Sequence, residues 1–259
     1  MSKFTLYQSV KSLLKHPFKM PRFFSDFSTY NNANKDPKFK ASLKNSYICL
    51  DDWGAHAGNT GIYFYQDLWA ARKIFQKRPS EHFDIGSSVA GFIAHVLSFM
   101  PVTMVDVRPL PDKIEGLKFI QADATNLDGI ADNSIESLSS LCAPEHFGLG
   151  RYGDPVDPDA CFKAMKSMQR VLKSGGGYLY CAVPVGETSC VAFNAHRIFA
   201  PELITETFNQ LQLVDFSVIS VLKNKSGFFE HLDFKKFHEI NFGTNLAGGV
   251  VGLFELVKN

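Results

Sequence analysis

The chain has 259 residues, 45% of them hydrophobic, with 27 Lys and Arg against 26 Asp and Glu. That is enough for one large core without a second domain, and a formal charge of +1 offers no electrostatic footprint for a polyanion, so no nucleic-acid partner is expected. The five cysteines, Cys49, Cys142, Cys161, Cys181 and Cys190, form no C-x-x-C pair and lie mostly in apolar contexts, which fits packed thiols in a reducing cytoplasm.

No apolar run approaches the roughly 18 to 20 residues of a membrane span, and the first residues lack the compact apolar core of a secretory signal. A soluble protein is expected. Residues 3–22 set Lys3, Lys11, Lys15, Lys19 and Arg22 beside Phe4, Leu6, Tyr7, Val10, Leu13 and Leu14. This basic amphipathic pattern suits a helix packed on the domain or a partner, or peripheral association with a membrane surface. Residues 25–46 are polar with weak periodicity and read as a connecting arm, so an extension over 1–45 precedes a domain over 46–259.

Within the domain, "GIYFYQDLWAARKIFQKR" predicts a helix with Tyr65, Leu68, Trp69, Ile74 and Phe75 on its apolar side. Then "HFDIG" reads as a strand, "AGFIAHVLSF" as a helix, and "VTMVDV", "LKFIQAD" and "SIESLSSL" as strands. In "DPDACFKAMKSMQRVLKSGGG", Asp157 is the expected N-cap, Pro158 the first helical residue and the glycines the stop. A strand "YLYCAVPV", a helix "APELITETFNQL", a strand "LVDFSVISVL", an irregular insert and a strand "GVVGLFELV" complete the order. The last two strands have no crossover helix between them, so the final one is expected antiparallel beside its predecessor at the sheet edge. The fold class is α/β: a doubly wound, Rossmann-like sheet of about seven strands, mostly parallel with an antiparallel last strand.

The stretch "HFDIGSSVAGFIAHVL" places Gly86, Ser88 and Gly91 at the three positions of a dinucleotide fingerprint. Ser88 replaces the glycine that lets the backbone approach a pyrophosphate, which argues against NAD or FAD. A tight strand-to-helix turn without a ligand would use the same residues. Two later acids favour a site: Asp106 ends a strand where a carboxylate can take both ribose hydroxyls, and Asp123 follows the next strand on the same sheet edge, within reach of an adenine amino group.

This ordered set resembles the class I S-adenosylmethionine-dependent methyltransferases over residues 60–259. The motifs are "DIGSS", "VDVRP", "QADATNL" and the helix-turn-strand "VLKSGGGYLYCAVP". Within that superfamily, "YFYQDLWAARKI", "DIGSS", "EHFGLGRYGDPVDP" and "PVG" resemble a methyltransferase-like family of unknown function associated with bacterial surface-sugar biosynthesis. The resemblance implies S-adenosylmethionine as cofactor, with Gly86 and Ser87 at its methionine part, Asp84 near its amino group, Asp106 at the ribose, and Asp123 and Ala124 at the adenine. It implies O-methylation of a sugar or other small polar acceptor, a small molecule or glycan, in polysaccharide biosynthesis. The competing implication is a noncatalytic protein that keeps the fold as a scaffold in a biosynthetic complex. Tyr63, Tyr65 and Gln66 are candidates for a lid, ordinary packing being the alternative for Tyr65.

A hydroxyl acceptor needs a group to take its proton. The loop "LCAPEHFGLGRYGDPVDP" supplies Glu145, His146, Arg151, Tyr152 and Asp154 at the same sheet edge. His146 is the expected base because imidazole titrates near neutrality. Asp154 is the second candidate, or the group that orients the imidazole. Arg151 either clamps a phosphate or carboxylate of the substrate or pairs with Asp154 or Glu145. His56, and His196 with Arg197, are secondary candidates from flanking loops. No HxxxH pair or acid cluster has metal-ligand spacing, so no metal is expected. Nothing in the pattern specifies an oligomeric state.

Overall fold

A computed structural model describes residues 15–53, 58 and 60–259. His56 and the first part of the basic amphipathic pattern lie outside the described residues. The chain divides into two compact units, Met1–Asn59 and Thr60–Asn259, whereas the composition shift puts the division near residue 45. In the first unit, helix α1 (Met20–Ala33) occupies part of the stretch expected to be an irregular arm, and none of its residues is buried. A proline in its first turn and a tilted Phe23–Phe27 pair one turn apart, centroids 6.3 Å apart, support helix despite the polar composition.

The second unit runs α2 (Ile62–Lys77), β1 (His82–Ile85), a π-helical turn (Val89–Ile93) leading into α3 (Ala94–Leu97), β2 (Val102–Asp106), β3 (Leu117–Gln121) and β4 (Ser137–Leu141). It continues with α4 (Ala160–Val171), β5 (Gly177–Pro184), a hairpin of β6 (Cys190–Ala192) and β7 (His196–Ile198), α5 (Pro201–Thr207), β8 (Gln212–Ser220), β9 (Gly227–Phe229), α6 (Phe234–Ile240) and β10 (Val250–Lys258). The main sheet has eight strands in the order β3-β2-β1-β4-β5-β10-β8-β9. Strands β1 to β5 pair in parallel, and β10 is antiparallel to both β5 and β8.

The doubly wound, mostly parallel sheet is as expected, with two corrections. The insert read as irregular contains α6 and the eighth strand, β9, which pairs with the end of β8 from Val218↔Phe229 to Ser220↔Gly227. The last strand is antiparallel but lies inside the sheet, and the edge falls to β9. Its composition explains this: every residue of β10 except Val257 is buried, and such a strand needs neighbours on both sides. A smaller correction concerns α4, which starts at Ala160. Asp157 instead accepts the Asp159 N–H (2.9 Å) and pairs with Lys163 (2.6 Å), closing a turn ahead of the helix.

Apolar side chains cover both sheet faces. One cluster joins Ile85, Leu138, Met165, Leu179, Phe208, Phe216 and Phe254, and the other joins Trp69, Ile74, Phe92, Met104, Tyr180 and Leu253. Helix α2 is rotated from the phase its sequence suggested, burying Gln66, Asp67, Trp69, Ala70, Ala71 and Ile74 while Phe75 is exposed. Two polar residues thereby enter the interior beside the glycine turn. Among the described residues no helix is long and apolar enough to cross a membrane.

Candidate functional site: a two-lobed crevice at the sheet edge

Because β1 to β4 are parallel neighbours, their carboxyl ends open on one edge, where a doubly wound sheet places its ligands. Two cavities meet there. The smaller, about 270 Å³, is lined by Ile85, Ala122, Asp123, Ala124, Phe147 and Asp154 among others. The larger, about 710 Å³, is lined by Tyr63, Gln66, Asp67, Ser88, Leu110 and Phe119 among others. Gly86, Asp106, Arg108, Cys142, His146 and Tyr152 border both, so the cavities form one crevice.

The glycine turn is shaped by close packing. Gly86 has φ +73°, and a Cβ there would stand 3.0 Å from the Ala143 Cβ, so a side chain is excluded both by conformation and by space. Ser88 is extended and precedes the π-helical turn, which is closed by the Ile93 N–H donating to the Ser88 carbonyl at 3.2 Å. At Gly91 a Cβ would overlap the Asp67 carboxylate. That third glycine therefore admits an acid from α2, which the sequence reading did not single out. Gln66 Nε2 donates to Asp67 Oδ1 at 3.2 Å, and burial raises the Asp67 pKa.

Asp84 does not reach the crevice, contrary to its expected place beside the cofactor amino group. It is fully buried, and its oxygens accept the Ser87 N–H (2.9 Å), the Ser87 hydroxyl (2.6 Å) and the Ser139 hydroxyl (2.5 Å). Ser87 Oγ also accepts the Leu141 N–H at 3.0 Å. On the other side of Ser139 lies His82, which bonds Ser137 at 2.8 Å and Ser139 at 3.0 Å. Burial lowers the His82 pKa to about 3 and raises that of Asp84 to about 6. This polar seam ties β1 to β4 beneath the crevice. Ser87 belongs to it while also lining the larger lobe.

The other strand-end acids do face the crevice. Asp123 is exposed in the smaller lobe beside Ala124, with Oδ1 accepting the Thr125 N–H at 2.8 Å. Asp106 ends β2 with both oxygens engaged by Arg108: Oδ1 accepts the Arg108 N–H (2.8 Å) and Nε–H (3.0 Å), and Oδ2 accepts Nη2–H (2.7 Å). The Arg108 guanidinium also lies 4.6 Å from the Tyr152 ring centroid. Arg108 was legible in "VDVRP" as a residue but not as a partner of Asp106.

The loop after β4 brings His146, Tyr152 and Asp154 to the crevice, with Glu145 buried behind them. The His146 Nδ1–H donates to the Ala195 carbonyl at 2.7 Å, which leaves Nε2 as the acceptor nitrogen of the neutral ring. The ring packs edge-on against Tyr152 (5.5 Å) and His196 (6.4 Å). Burial lowers the His146 pKa to about 4, which corrects the expectation of near-neutral titration. Asp154 does not orient the imidazole. Its oxygens accept the N–H groups of Gly148 (2.7 Å) and Tyr152 (3.2 Å), folding the loop over the positive-φ glycines Gly150 and Gly153.

Glu145 lies behind His146, its Oε1 3.6 Å from Nε2, and among the described residues its Oε2 has no hydrogen-bond partner. Burial raises its pKa to about 8. The neighbouring Cys142 thiol contacts Gln66 Oε1 at 2.8 Å and is likewise pushed well above its ordinary pKa by burial. Arg151 pairs with neither Asp154 nor Glu145; it donates to the Ala195 carbonyl at 2.9 Å and lies 5.2 Å from the Tyr152 centroid. Arg197 is buried and donates to the carbonyls of Phe147 (2.6 Å), Pro158 (3.2 Å) and Glu145 (3.4 Å), so it braces the loop from behind. Buried His196 Nε2 has no hydrogen-bond partner among the described residues. No group of three or more His, Cys, Asp or Glu among the described residues has metal-binding geometry.

The strand order, the antiparallel strand between β5 and β8, and the crevice beyond β1 to β4 define the class I, Rossmann-like methyltransferase fold. Two solved structures share it. One is the 1,6-didemethyltoxoflavin-N1-methyltransferase of Burkholderia thailandensis, solved with 1,6-didemethyltoxoflavin and S-adenosylhomocysteine bound; it is 16% identical over 91% of this chain and 86% of that one, with a TM-score of 0.52. The other, from Galdieria sulphuraria and provisionally named a sarcosine dimethylglycine methyltransferase, is 14% identical over 74% of this chain and 84% of its own, with a TM-score of 0.51. At these identities the likeness is one of fold. A family model described as "Caenorhabditis protein of unknown function, DUF268" matches residues 118–241, just under half of the chain. No curated protein matches in sequence.

Proposed function

We propose that this chain is an S-adenosylmethionine-dependent methyltransferase that methylates a hydroxyl of a small polar acceptor, with sugars the favoured class and glycan biosynthesis the favoured setting. The observation that carries the reading is the pairing of two strand-end carboxylates, Asp106 and Asp123, in one crevice of a methyltransferase fold. The residues present fit the cofactor. Gly86 leaves room that a Cβ would fill, and the smaller lobe joins the apolar walls Ile85, Ala122, Ala124 and Phe147 to Asp123, a lining suited to a purine. Asp106 stands between the lobes, where a ribose would link a base on one side to a methionine on the other. In the larger lobe, Asp67 and Gln66 offer acceptors to an ammonium group. The polar lining of Tyr63, Gln66, Ser88 and His146 can hydrogen-bond a polyhydroxyl acceptor.

When bound, S-adenosylmethionine supplies a sulfonium methyl: the acceptor oxygen forms the new C–O bond as the C–S bond breaks, sulfur keeps the bonding pair, and the hydroxyl proton leaves to a base. His146 would take that proton at Nε2, a reading supported by the Nδ1–H bond to the Ala195 carbonyl and by burial, which favours the neutral ring. Tyr152 and His196 hold the ring edge-on, which restricts its rotation.

Calorimetry with the purified chain tests the reading. S-adenosylhomocysteine is expected to bind with micromolar affinity, and NAD is expected not to bind. Asp106→Ala removes hydrogen bonds to a charged group and should weaken S-adenosylhomocysteine binding by roughly tenfold to a hundredfold in a folded protein. Tight NAD binding without S-adenosylhomocysteine binding would discard the methyltransferase reading. A screen of sugar nucleotides and glycans with a labelled methyl donor then addresses the acceptor.

A further inference from the structure

Asp106, the carboxylate best placed for a ribose, is occupied by the chain itself. We propose that Arg108 plugs the ribose position of the free protein, and that its release from Asp106 delivers it beside Arg151 as a clamp for an oxyanion, phosphate or carboxylate, on the acceptor. This rests on the cofactor reading above and adds to it an acceptor class and an order of binding.

The plug follows from counting acceptor positions. A carboxylate offers about four lone-pair sites, two per oxygen. Arg108 takes three of them through its backbone N–H, Nε and Nη2. A ribose diol needs one hydroxyl on each oxygen. Oδ1 already accepts two bonds and Oδ2 faces the fork, so Asp106 can take the diol only after the guanidinium leaves.

The release has a defined direction. Arg108 borders both lobes, and its guanidinium already rests 4.6 Å from the Tyr152 centroid, an aromatic face that can hold the cation after it leaves Asp106. Arg151 lies 5.2 Å from the same centroid, and among the described residues no carboxylate is within ion-pair distance of it. Two guanidiniums would then flank one ring at the mouth of the larger lobe. The acids nearest that lobe do not pair with them: Asp154 is committed to backbone N–H groups, Asp67 is bonded to Gln66, and Glu145 is buried behind His146. An oxyanion fits such a pair of forks; a neutral acceptor would leave both unused.

The first test is calorimetry of wild type and Arg108→Ala with S-adenosylhomocysteine, adenosine and 2′,3′-dideoxyadenosine. The variant should bind the first two roughly tenfold more tightly than wild type, and the gain should vanish for the dideoxy compound, which has no diol to compete. Equal or weaker binding of adenosine by a folded Arg108→Ala overturns the plug and makes Arg108 a residue that merely holds Asp106 in place.

Inorganic phosphate probes the clamp. In wild type, saturating S-adenosylhomocysteine should tighten phosphate binding several-fold, and phosphate should tighten S-adenosylhomocysteine by the same factor. Arg108→Ala should abolish this coupling. Arg151→Ala should weaken phosphate while leaving S-adenosylhomocysteine affinity unchanged. Phosphate binding indifferent to S-adenosylhomocysteine overturns the clamp. If neither wild type nor Arg108→Ala binds S-adenosylhomocysteine or adenosine, the cofactor reading itself fails, a result distinct from either of the others.

Discussion

Two clusters of buried acids in the same unit behave in opposite ways. Against strands β8 and β10, Lys73 Nζ lies 3.0 Å from Asp215 and 2.6 Å from Glu255, and His231 Nδ1 lies 2.8 Å from the other Asp215 oxygen. Burial alone would raise the Asp215 pKa, but the bonds from Lys73 and His231 outweigh it and hold the carboxyl below its ordinary value. In the loop after β4, Glu145 is as deeply buried as Glu255 but has no bonded cation and one oxygen without a partner, and its pKa rises to about 8. The partner, more than the depth, decides whether a buried acid keeps its charge. The first cluster is complete and holds α2 to the sheet. The second has free bonding capacity behind His146, which lines the crevice.

The largest effect should come from breaking the complete cluster. Lys73→Met leaves Asp215 and Glu255 buried without their shared cation and should destabilise the unit by about 3–5 kcal/mol in denaturant titrations near neutral pH. A loss below about 1 kcal/mol would mean that the two clusters do not differ in the way the geometry indicates.

Glu145→Gln tests the incomplete cluster. Between its ordinary value of 4.5 and about 8, Glu145 stays protonated in the folded protein and ionises in the unfolded chain. The unfolded state therefore binds fewer protons there, and wild-type stability should fall as pH rises through that window. The variant should flatten this slope, removing a loss on the order of a few kcal/mol. Stability curves of unchanged slope would show that Glu145 is ionised in the folded state.

His146→Ala should retain S-adenosylhomocysteine binding and lose on the order of a hundredfold in turnover, the usual scale for a positioned base. Since the His146 pKa is lowered to about 4, wild-type turnover should stay level from neutrality down to about that pH, and the limb should be absent from the variant. A wild-type limb near pH 6.5 would move the assignment to another group.

The smallest effect belongs to an exposed counterpart of the Lys73 cluster. His238 bridges Glu187 (2.6 Å) and Glu202 (2.7 Å), and those hydrogen bonds raise its pKa above 6.5. The bridge should be fully formed below pH 6.5 and lost as pH rises through the elevated folded value. With its members partly exposed it is worth only about 0–1 kcal/mol, readable as a small pH-dependent difference in Tm between wild type and His238→Gln.

The sequence showed the parts of the site that regular spacing creates. Gly86, Asp106 and Asp123 follow strands that alternation marks clearly, and a parallel sheet brings their ends to one edge. Groups defined by a partner far away in sequence stayed hidden. Asp67 lies on a helix whose apolar spacing suggested another phase, and its burial shows only as the glycine it requires at position 91. Asp84 looked like a ligand residue because nothing local reveals that Ser139 from β4 joins Ser87 of the glycine turn in engaging its oxygens. His146 was singled out from its loop, but its lowered pKa depends on how the loop folds, and the Ala195 carbonyl that accepts its Nδ1–H comes from the β6–β7 hairpin, which gave no strand signal. The edge strand β9 was missed because three residues are too short for alternation to register.

The position of β10 also fixes an order of events during synthesis. Strands β8 and β9 leave the ribosome before the strand that must lie between β8 and β5. Until Val250–Lys258 emerge, Lys73 lacks Glu255, and β5 and β8 each lack the strand that pairs with them on one side. A nascent chain at that stage presents two unpaired edges, the condition under which non-native strand pairing and aggregation arise. Closure of the sheet is thus a late, non-local step, and chaperone dependence should concentrate in the interval before β10 is released.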